Sequence, residues 1–226
     1  MKFMSLETEY SRYKWFFTSS GKLVVGGKNA VQNDELLTNM KKEGKERYVM
    51  HTSHPGSPFC VILSEIDKIN KGDLMEGAIF TGSFSRAWKD GKRKTEVHLF
   101  KSSQVSKPKK AKTGTWYVKG KIEKREVELK LVLTTQKNIL RAVPEDSVKN
   151  KKDVLLKILP GRNDKTDMLA KFEMELEKKN TKIKHDELLA ALPAGGISIL
   201  NVRNNLEKEL ENSVKETKNK TSKKRK

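Results

Sequence analysis

The segment KWFFTSSGKLVVGGKNAVQNDELL, residues 14–37, decides how the chain begins to fold. Two short runs rich in aromatic and β-branched residues lie within residues 13–25 and are joined by Ser-Ser-Gly, which predicts a β-hairpin. The pair Gly26-Gly27 follows the second run, and apolar residues then recur at helical spacing. We therefore predict a helix that follows a strand across a diglycine corner, where exposed backbone amides are suited to hold an anion.

Two further blocks after this corner carry clear patterns. Residues 47–50 and 59–63 are predicted strands, and the loop HTSHPGSP between them contains two histidines, two prolines and a glycine. Aromatic residues then recur every fourth position at Phe80, Phe84 and Trp88. This spacing predicts one helix with an aromatic stripe facing the core, and a basic cluster at its end.

The rest of the chain alternates between strand and helix patterns, including a strict alternation of apolar residues through 127–133. Predicted strands lie at 96–100, 138–143, 154–159 and 197–200, and predicted helices at 164–179 and 185–192. This order predicts an α/β (mixed α+β) fold: a single domain with a mixed, largely antiparallel sheet flanked by helices. We divide it into a core at 10–143, an α/β extension at 144–205 packed on the core, and a disordered basic tail at 213–226.

The composition restricts both the compartment and the partner. The 226 residues include 48 Lys and Arg against 29 Asp and Glu, and the net charge of +19 favours a polyanionic partner. Cys60 is the single cysteine, which excludes a disulfide framework within the chain and a Cys-based zinc site and predicts a reducing cytoplasm. No apolar run approaches 18 residues, and acidic residues stand where a signal peptide would be apolar. We therefore expect a cytoplasmic protein with no membrane partner.

The positive charge is concentrated in two regions. Residues 89–112 contain nine basic and two acidic residues, and the tail at 213–226 contains seven basic and one acidic residue. Trp88 precedes the first region and Trp116 and Tyr117 follow it, a composition expected where both phosphates and bases are contacted. For the tail, composition alone leaves three roles open: a localisation signal, an anchor on ribosomal RNA, or a solvated end.

Several blocks of this sequence resemble a known family in their order and spacing over residues 13–120. They are KWFFTSSGKLVVGGKNAVQNDELL, YVMHTSHPGSPFCVI, FTGSFSRAWK and VHLFKSSQVSK, with a later Gly120. Together they resemble the NFACT-R domain, the RNA-binding module of factors that extend stalled chains on the ribosome and of small stand-alone proteins. The segment from Leu159 to Gly196 is similar to the extension of the stand-alone, archaeal-type forms.

The resemblance implies a mixed α/β RNA-binding fold with tRNA or rRNA as the ligand, and it makes the large ribosomal subunit a candidate partner. The amino-terminal tRNA-handling domain, helix-hairpin-helix region and coiled coil of the large factors have no counterpart in these residues. Synthesis of chain tails by this sequence alone is therefore not implied. The large factors carry an Asp before the second histidine of the loop, where this chain has Ser53, so a role of that carboxylate does not transfer.

The candidate site residues fall into two groups, and neither includes a catalytic residue, a metal ligand or a cofactor contact. Candidate recognition elements at the diglycine corner and in the histidine loop are Lys28, Asn29, His51, His54, Gly56 and Ser57. Candidate phosphate contacts are Arg86, Lys92, Arg93, Lys94, Lys107, Lys109, Lys110, Arg162 and Lys165.

The sequence thus predicts a non-enzymatic RNA-binding protein of the translation apparatus that grips tRNA or rRNA through a basic face, in ribosome-associated quality control. Two alternatives stay open. One is a subunit of an RNA-processing or RNA-modifying enzyme with His51 and His54 as general acid and base. The other is a ribosome-associated adaptor whose basic face meets an acidic protein.

Overall fold

The structure is a computed structural model and describes residues 5–200, which form a mixed α+β fold with antiparallel sheets. Its strands are β1 (Lys14–Phe17), β2 (Leu23–Gly26), β3 (Tyr48–Thr52), β4 (Cys60–Ile62), β5 (Lys94–Lys101), β6 (Val105–Ser106), β7 (Tyr117–Val118), β8 (Glu123–Glu128), β9 (Leu131–Gln136), β10 (Ile139–Val143), β11 (Leu156–Asn163) and β12 (Ile197–Leu200). Its α-helices are α1 (Leu6–Glu9), α2 (Ala30–Glu43), α3 (Lys71–Ser83), α4 (Arg86–Lys89), α5 (Leu169–Glu177) and α6 (His185–Ala191). Among these helices, none has the length and apolarity that a membrane crossing requires.

The first sheet has six strands in the order β1-β2-β4-β3-β5-β8, and every neighbouring pair is antiparallel. The predicted hairpin is confirmed, because Lys14 pairs with Gly26 and Phe17 with Leu23. The two faces of this six-stranded sheet are buried by different helices. Trp15, Val25 and Val49 pack with α2 and α1, whereas residues on the opposite face, such as Phe16, pack with α3.

The diglycine corner is confirmed and has a steric cause. A Cβ on Gly26 would lie 2.7 Å from the Cys60 sulfur, and a Cβ on Gly27 would lie 2.7 Å from the Asn33 amide nitrogen. No side chain fits at such distances, so only glycine permits the strand to pass Cys60 and the chain to turn directly into α2. Asn29 then begins the helix as its N-cap, because its side chain accepts a hydrogen bond from the Gln32 amide.

The turn of the first hairpin is held by two carboxylates from α3. Asp73 accepts hydrogen bonds from the Thr18 hydroxyl at 2.6 Å, the Ser20 hydroxyl at 2.6 Å and the Asn70 amide at 3.0 Å. Glu76 accepts from the hydroxyl and the amide of Ser19 at 2.5 and 2.8 Å. These bonds fix the hairpin against the helix that covers its inner face.

The prediction of one continuous aromatic helix was wrong. The chain leaves helical geometry at Phe84, and Ser85 starts the separate helix α4 by accepting a hydrogen bond from the Ala87 amide at 3.1 Å. The serine hydroxyl also donates to the Gly82 carbonyl at 2.6 Å, which closes the end of α3. Phe80 and Trp88 are nonetheless buried as expected, while Phe84 remains half-buried.

A second sheet has the order β10-β9-β11-β12, and two residues separate its first strand in the chain, β9, from β8 of the first sheet. The apolar alternation through 127–133 therefore belongs to two sheets, with β8 in one and β9 in the other. Because β9 pairs with both β10 and β11, the boundary that we placed after residue 143 runs through this sheet. Residues 201–205 of the predicted extension and the tail at 213–226 lie outside the described residues.

The second sheet is fastened to the first by packing and by one side chain. Helices α5 and α6 cover it, and their buried residues Phe172 and Leu188 belong to the same core cluster as Phe16 and Met50 of the first sheet. In addition, the Gln136 side chain accepts from the Phe17 amide at 2.8 Å and donates to the Phe17 carbonyl at 2.9 Å. This amide satisfies the exposed edge of β1 as a neighbouring strand would.

The carboxylate clamp yields a stability prediction with a defined pH dependence. Burial opposes ionisation of Asp73, but the bonds from Ser20, Thr18 and Asn70 outweigh it and hold its pKa below the ordinary value. We expect Asp73→Asn to lower the free energy of unfolding at pH 7 by about 1–3 kcal/mol, because a charged acceptor of three hydrogen bonds is lost. Urea unfolding measures this difference.

The sign of the pH effect follows from the lowered pKa. Stability from Asp73 is complete above the ordinary carboxyl pKa and is lost as pH falls through the lower folded value, so the two proteins should converge below about pH 4. Burial raises the pKa of Glu76, so the contribution of Glu76 to stability changes with pH in the opposite direction. The exposed Asp90 is the control, and Asp90→Asn should stay within about 0.5 kcal/mol of the parent. Equal effects of the two substitutions would contradict the clamp.

Candidate nucleic-acid interface

One end of the first sheet brings together segments that are far apart in the sequence. β1 and β4 start there, and β2 and β3 end there, because Lys14 pairs with Gly26 and Cys60 pairs with both Gly26 and Met50. β5 also begins on this side and extends beyond the end of β3, where the Ser53 amide donates to the Glu96 carbonyl at 3.0 Å. The diglycine corner and the histidine loop are therefore spatial neighbours.

These segments surround a cavity of about 610 Å³ that we call the strand-end cleft. Its walls come from the diglycine corner with the start of α2, the histidine loop, the segment at 113–116, and the side chains of β5. The side chains and backbone that line it belong to Lys14, Gly27, Lys28, Asn29, Ala30, Asn33, His51, Thr52, Ser53, Pro55, Gly56, Ser57, Phe59, Phe84, His98, Phe100, Thr113, Gly114, Thr115, Trp116, Val118 and Ile122. This set includes five of the six predicted recognition elements.

The start of α2 is tied to the histidine loop by a buried amide. Asn33 accepts a hydrogen bond from the Phe59 amide at 3.0 Å, and the Gly27 amide donates to the Phe59 carbonyl at 3.4 Å. Lys28 and Asn29 are exposed at this corner. The corner therefore presents a fixed backbone and an exposed cation to the cleft, although the Asn29 side chain already caps the helix.

His51 enters the cleft as a neutral ring. Burial lowers its pKa, and although the hydrogen bond with the Thr52 carbonyl raises it, the pKa stays below the ordinary value. Since a carbonyl only accepts, the Nδ1 atom, 2.7 Å from it, carries the proton and Nε2 is left as an acceptor. The ring packs on Phe59 with centroids 4.4 Å apart. His51 therefore offers the cleft an acceptor on a rigid plane.

His54 does not share this position. It is exposed at the tip of the loop, and its Nδ1 atom lies 3.0 Å from the Ser53 hydroxyl. The histidine that faces His51 is His98, its partner in the strand register, whose Nε2 atom lies 2.8 Å from Glu96. The hydrogen bond from His98 lowers the pKa of Glu96. The pair His51 and His54, considered for acid-base catalysis, is thus not brought together in the cleft.

Two predicted loop residues maintain the backbone of the loop. The Ser57 hydroxyl accepts from the Thr52 amide at 3.0 Å and is buried. Gly56 has a φ of +104° and lies so close to Arg86 that an added Cβ would be 3.1 Å from the arginine Cβ. The Arg86 amide also donates to the Gly56 carbonyl at 2.8 Å, so the loop sets the position of Arg86 beside the cleft.

Lys14 is the site residue that the sequence analysis missed. Its ammonium lies 4.4 Å above the Phe84 ring, and burial, followed by the charges of Lys28 and Lys165, lowers its pKa to about 8. Within residues 5–200, no carboxylate lies at ion-pair distance from it. A signal was present in the sequence, because Lys14 alternates with the buried Phe16 and so occupies an inward-facing position of β1.

The predicted basic block divides into two parts. Lys92, Arg93 and Lys94 are exposed at the start of β5, on the same side of the sheet as the cleft, and Lys94 forms only a loose pair with Glu126 at 3.7 Å. Lys109 and Lys110 are exposed on the loop after β6. The first part thus adds exposed charge near the cleft.

Lys107 differs from the rest of the block because it is used within the protein. It forms an ion pair with Asp34 of α2 and lies 5.6 Å from the centre of the Trp116 ring. The Trp116 indole nitrogen donates to the same carboxylate at 2.8 Å. Asp34 therefore neutralises Lys107 and fixes Trp116 in the wall of the cleft, while Tyr117 stays 56% exposed.

The two cations predicted in the extension have different surroundings. Arg162 is exposed, whereas the Lys165 ammonium donates to the Leu189 carbonyl at 3.0 Å. The extension reaches α4 through Gly195, where an added Cβ would lie 2.6 Å from the Lys89 Cα. The Gly161 amide donates to the neighbouring Gly196 carbonyl at 3.0 Å, which places Arg162 close to α4.

A larger hollow of about 1050 Å³ lies on the second sheet, and its lining contains the acidic residues Glu145, Asp146 and Glu175 as well as lysines. Glu145 in its wall accepts from Lys130 at 2.7 Å and also pairs with Lys157. The strand-end cleft, in contrast, has no acidic residue among the described residues that line it. In the part of the chain that the structure describes, no cluster of three or more His, Cys, Asp or Glu is arranged to hold a metal ion.

Comparisons with known proteins add the following similarities. The family model described as NFACT protein RNA binding domain matches residues 12–122. The archaeal Rqc2 homolog aRqcH of Methanocaldococcus jannaschii is 30% identical over 204 residues, covering 84% of this chain and 29% of that protein. The ribosome quality control complex subunit NEMF homolog of Drosophila melanogaster is 32% identical over 117 residues, covering 50% of this chain and 12% of that protein.

This chain therefore spans less than a third of either relative. Because the archaeal alignment covers 84% of the chain, the similarity continues beyond residue 122 into the second sheet. Among solved structures, the C-terminal part of the fibronectin/fibrinogen-binding protein from Streptococcus suis is 21% identical with a TM-score of 0.44, covering 52% of this chain and 44% of that one.

Cys60, behind the diglycine corner, gives a direct test of how tightly this site is packed. Burial raises the pKa of its thiol to about 12, so neither the thiolate nor access is available in the folded protein. We expect no reaction with an aromatic disulfide reagent at pH 8, and one equivalent of reaction in urea. Rapid labelling of the folded chain would show that the corner opens.

Proposed function

We propose that the chain is an RNA-binding protein of ribosome quality control, because residues 12–122 match the family model of the NFACT protein RNA binding domain and both relatives share sequence with it. The observation that carries the proposal is the concentration of cations at one end of the first sheet, where, among the described residues, only Lys94 has a carboxylate within ion-pair distance, at 3.7 Å. We call this group the basic sheet end. It consists of Lys14, Lys28, Arg86, Lys92, Arg93 and Lys94.

The proposed ligand is tRNA or rRNA, bound in the cytoplasm on or near the large ribosomal subunit. Phosphates attract exposed lysine and arginine without regard to sequence, and rigid aromatic residues add contacts with bases. The basic sheet end supplies the first kind of group, and the strand-end cleft beside it supplies the second. The cellular context is supported by the two relatives, an archaeal Rqc2 homolog and a homolog of a ribosome quality control complex subunit.

We further propose that the chain binds RNA without cleaving or modifying it. An acid-base pair needs two groups that reach one substrate together. Of the two histidines considered, only His51 lines the cleft, and its lowered pKa favours the neutral ring. The second histidine in the cleft wall, His98, has its Nε2 atom 2.8 Å from the Glu96 carboxylate, which already engages it. The raised pKa of Cys60 is also unsuited to a nucleophile.

A charge-neutralising variant tests the proposal. We expect replacement of Lys92, Arg93 and Lys94 together by Gln to weaken tRNA binding at about 0.15 M salt by at least about tenfold, because three cations facing the ligand are lost. The parent should show a slope of log affinity against log salt of roughly −4 to −7, reduced by about 2 in the variant. Fluorescence anisotropy over a salt series measures both.

The matched control removes the same charge from the opposite end of α2. Lys41, Lys42 and Lys45 are exposed near its C-terminus, away from the diglycine corner. Their replacement by Gln should change the affinity less than threefold. Equal losses from the two triple variants would reduce binding to net charge alone. Ribosome association that survives nuclease treatment would instead favour a protein adaptor.

A further inference from the structure

The size of the strand-end cleft restricts what part of an RNA can enter it. Its volume of about 610 Å³ lies within the range of roughly 300–1,000 Å³ typical of sites for one small molecule. A paired duplex, with its two backbones, is far larger than this space. One nucleotide that has left its stack, or one at a strand end, is of suitable size.

The charge inside the cleft favours a phosphate. Lys14 lies in the wall of the cleft and has no carboxylate partner in the described part of the chain. The exposed Lys28, at the diglycine corner, also lines the cleft. A partly buried ammonium has lost some of its hydration, so a negatively charged group that enters the cleft is bound more strongly than one at the surface. Since no acidic residue lines the described cleft, no internal carboxylate competes for this position.

The walls of the cleft favour a planar base. Three rings are held in fixed orientations. The His51 ring packs on Phe59 with ring centroids 4.4 Å apart, and the Phe84 ring packs on Phe80 with centroids 4.6 Å apart. The Trp116 ring is held by the hydrogen bond of 2.8 Å from its indole nitrogen to Asp34. Rigid aromatic faces stack with every base and confer little sequence preference. The free Nε2 of His51 adds an acceptor for an amino group on the base or for a ribose hydroxyl.

We propose that the strand-end cleft holds a single unpaired nucleotide of the bound RNA, with its phosphate near Lys14 and Lys28 and its base against the aromatic wall. This inference rests on the proposed RNA binding and adds the form of RNA that the site recognises. The basic sheet end then contacts the backbone of the adjoining RNA, and the cleft selects an RNA that has an unpaired end or a base outside the helix.

The test compares two RNAs that differ only in unpaired nucleotides. One is a blunt 12-base-pair duplex, and the other is the same duplex with a four-nucleotide 3′ overhang. We expect the full chain to bind the overhang RNA about tenfold more tightly at constant salt, as stacking of one base would give. Lys14→Met, which keeps an apolar chain over Phe84, should abolish this preference. The blunt duplex keeps its contacts with Lys92, Arg93 and Lys94, so its affinity should fall by no more than about threefold, as the loss of one cation gives.

A matched control is available at another lysine that lies over a phenylalanine. Lys137 is exposed in the turn before β10, and its ammonium lies 5.5 Å from the Phe17 ring. Lys137→Met should retain the full preference for the overhang. Phe84→Leu, which keeps an apolar side chain but removes the ring, should reduce the preference. Protection of Cys60 from the disulfide reagent confirms that each variant is folded.

The outcomes separate this inference from the proposed function. Equal affinity for the two RNAs, with no effect of Lys14→Met but a loss in the Lys92, Arg93 and Lys94 variant, overturns the cleft assignment alone. Absence of salt-dependent binding to both RNAs overturns the proposed function. Competition by adenosine monophosphate at concentrations as low as the overhang RNA itself would show a free nucleotide as the ligand and would overturn the assignment to RNA.

Discussion

The arrangement of this molecule depends on the close contact of Gly26 and Gly27 with Cys60 and Asn33. Without side chains at these two positions, β2 lies against the start of β4, and the chain turns into α2 within three residues. Asn33 then bonds to the Phe59 amide, which fixes the helix to the end of the histidine loop. A larger residue at the corner would displace the helix, and the strand-end cleft would lose one wall.

Two cations of this protein, Arg47 and Lys14, differ in whether a carboxylate partner is present, and this difference distinguishes a structural role from a binding role. Arg47, 2% exposed, pairs with Glu43 at 2.9 Å and with Glu7 at 3.4 Å, which joins α1 and α2 to β3. A buried charge of this kind requires partners, because an isolated one would be very costly. Lys14 is half-buried and has no such partner among the described residues. A cation kept near a cavity without a counterion is consistent with a ligand that supplies the negative charge.

Much of the fold could be predicted because its signals are local. The hairpin and the diglycine corner each lie within a few residues, and the histidine loop stands between two strands whose patterns are clear. The division into two helices at Ser85 was missed, because aromatic residues every fourth position occur both in one continuous helix and in two helices separated by an N-cap residue. The alternation through 127–133 has one period whether the residues lie in one sheet or two. Only tertiary packing places β8 and β9 in different sheets.

The candidate site shows the same limit for charges. The number of basic residues identified the block at 89–112, but it could not show that Asp34 neutralises Lys107. Nor could it show that the exposed residues Lys92, Arg93 and Lys94 lie at the end of the sheet that holds the cleft. It also gave no weight to Lys14, which stands alone among aromatic residues in β1. The strength of an electrostatic site depends on the distance of each cation from its nearest carboxylate and on its burial. A single lysine in a cleft without acids can therefore matter more to recognition than several in an exposed loop.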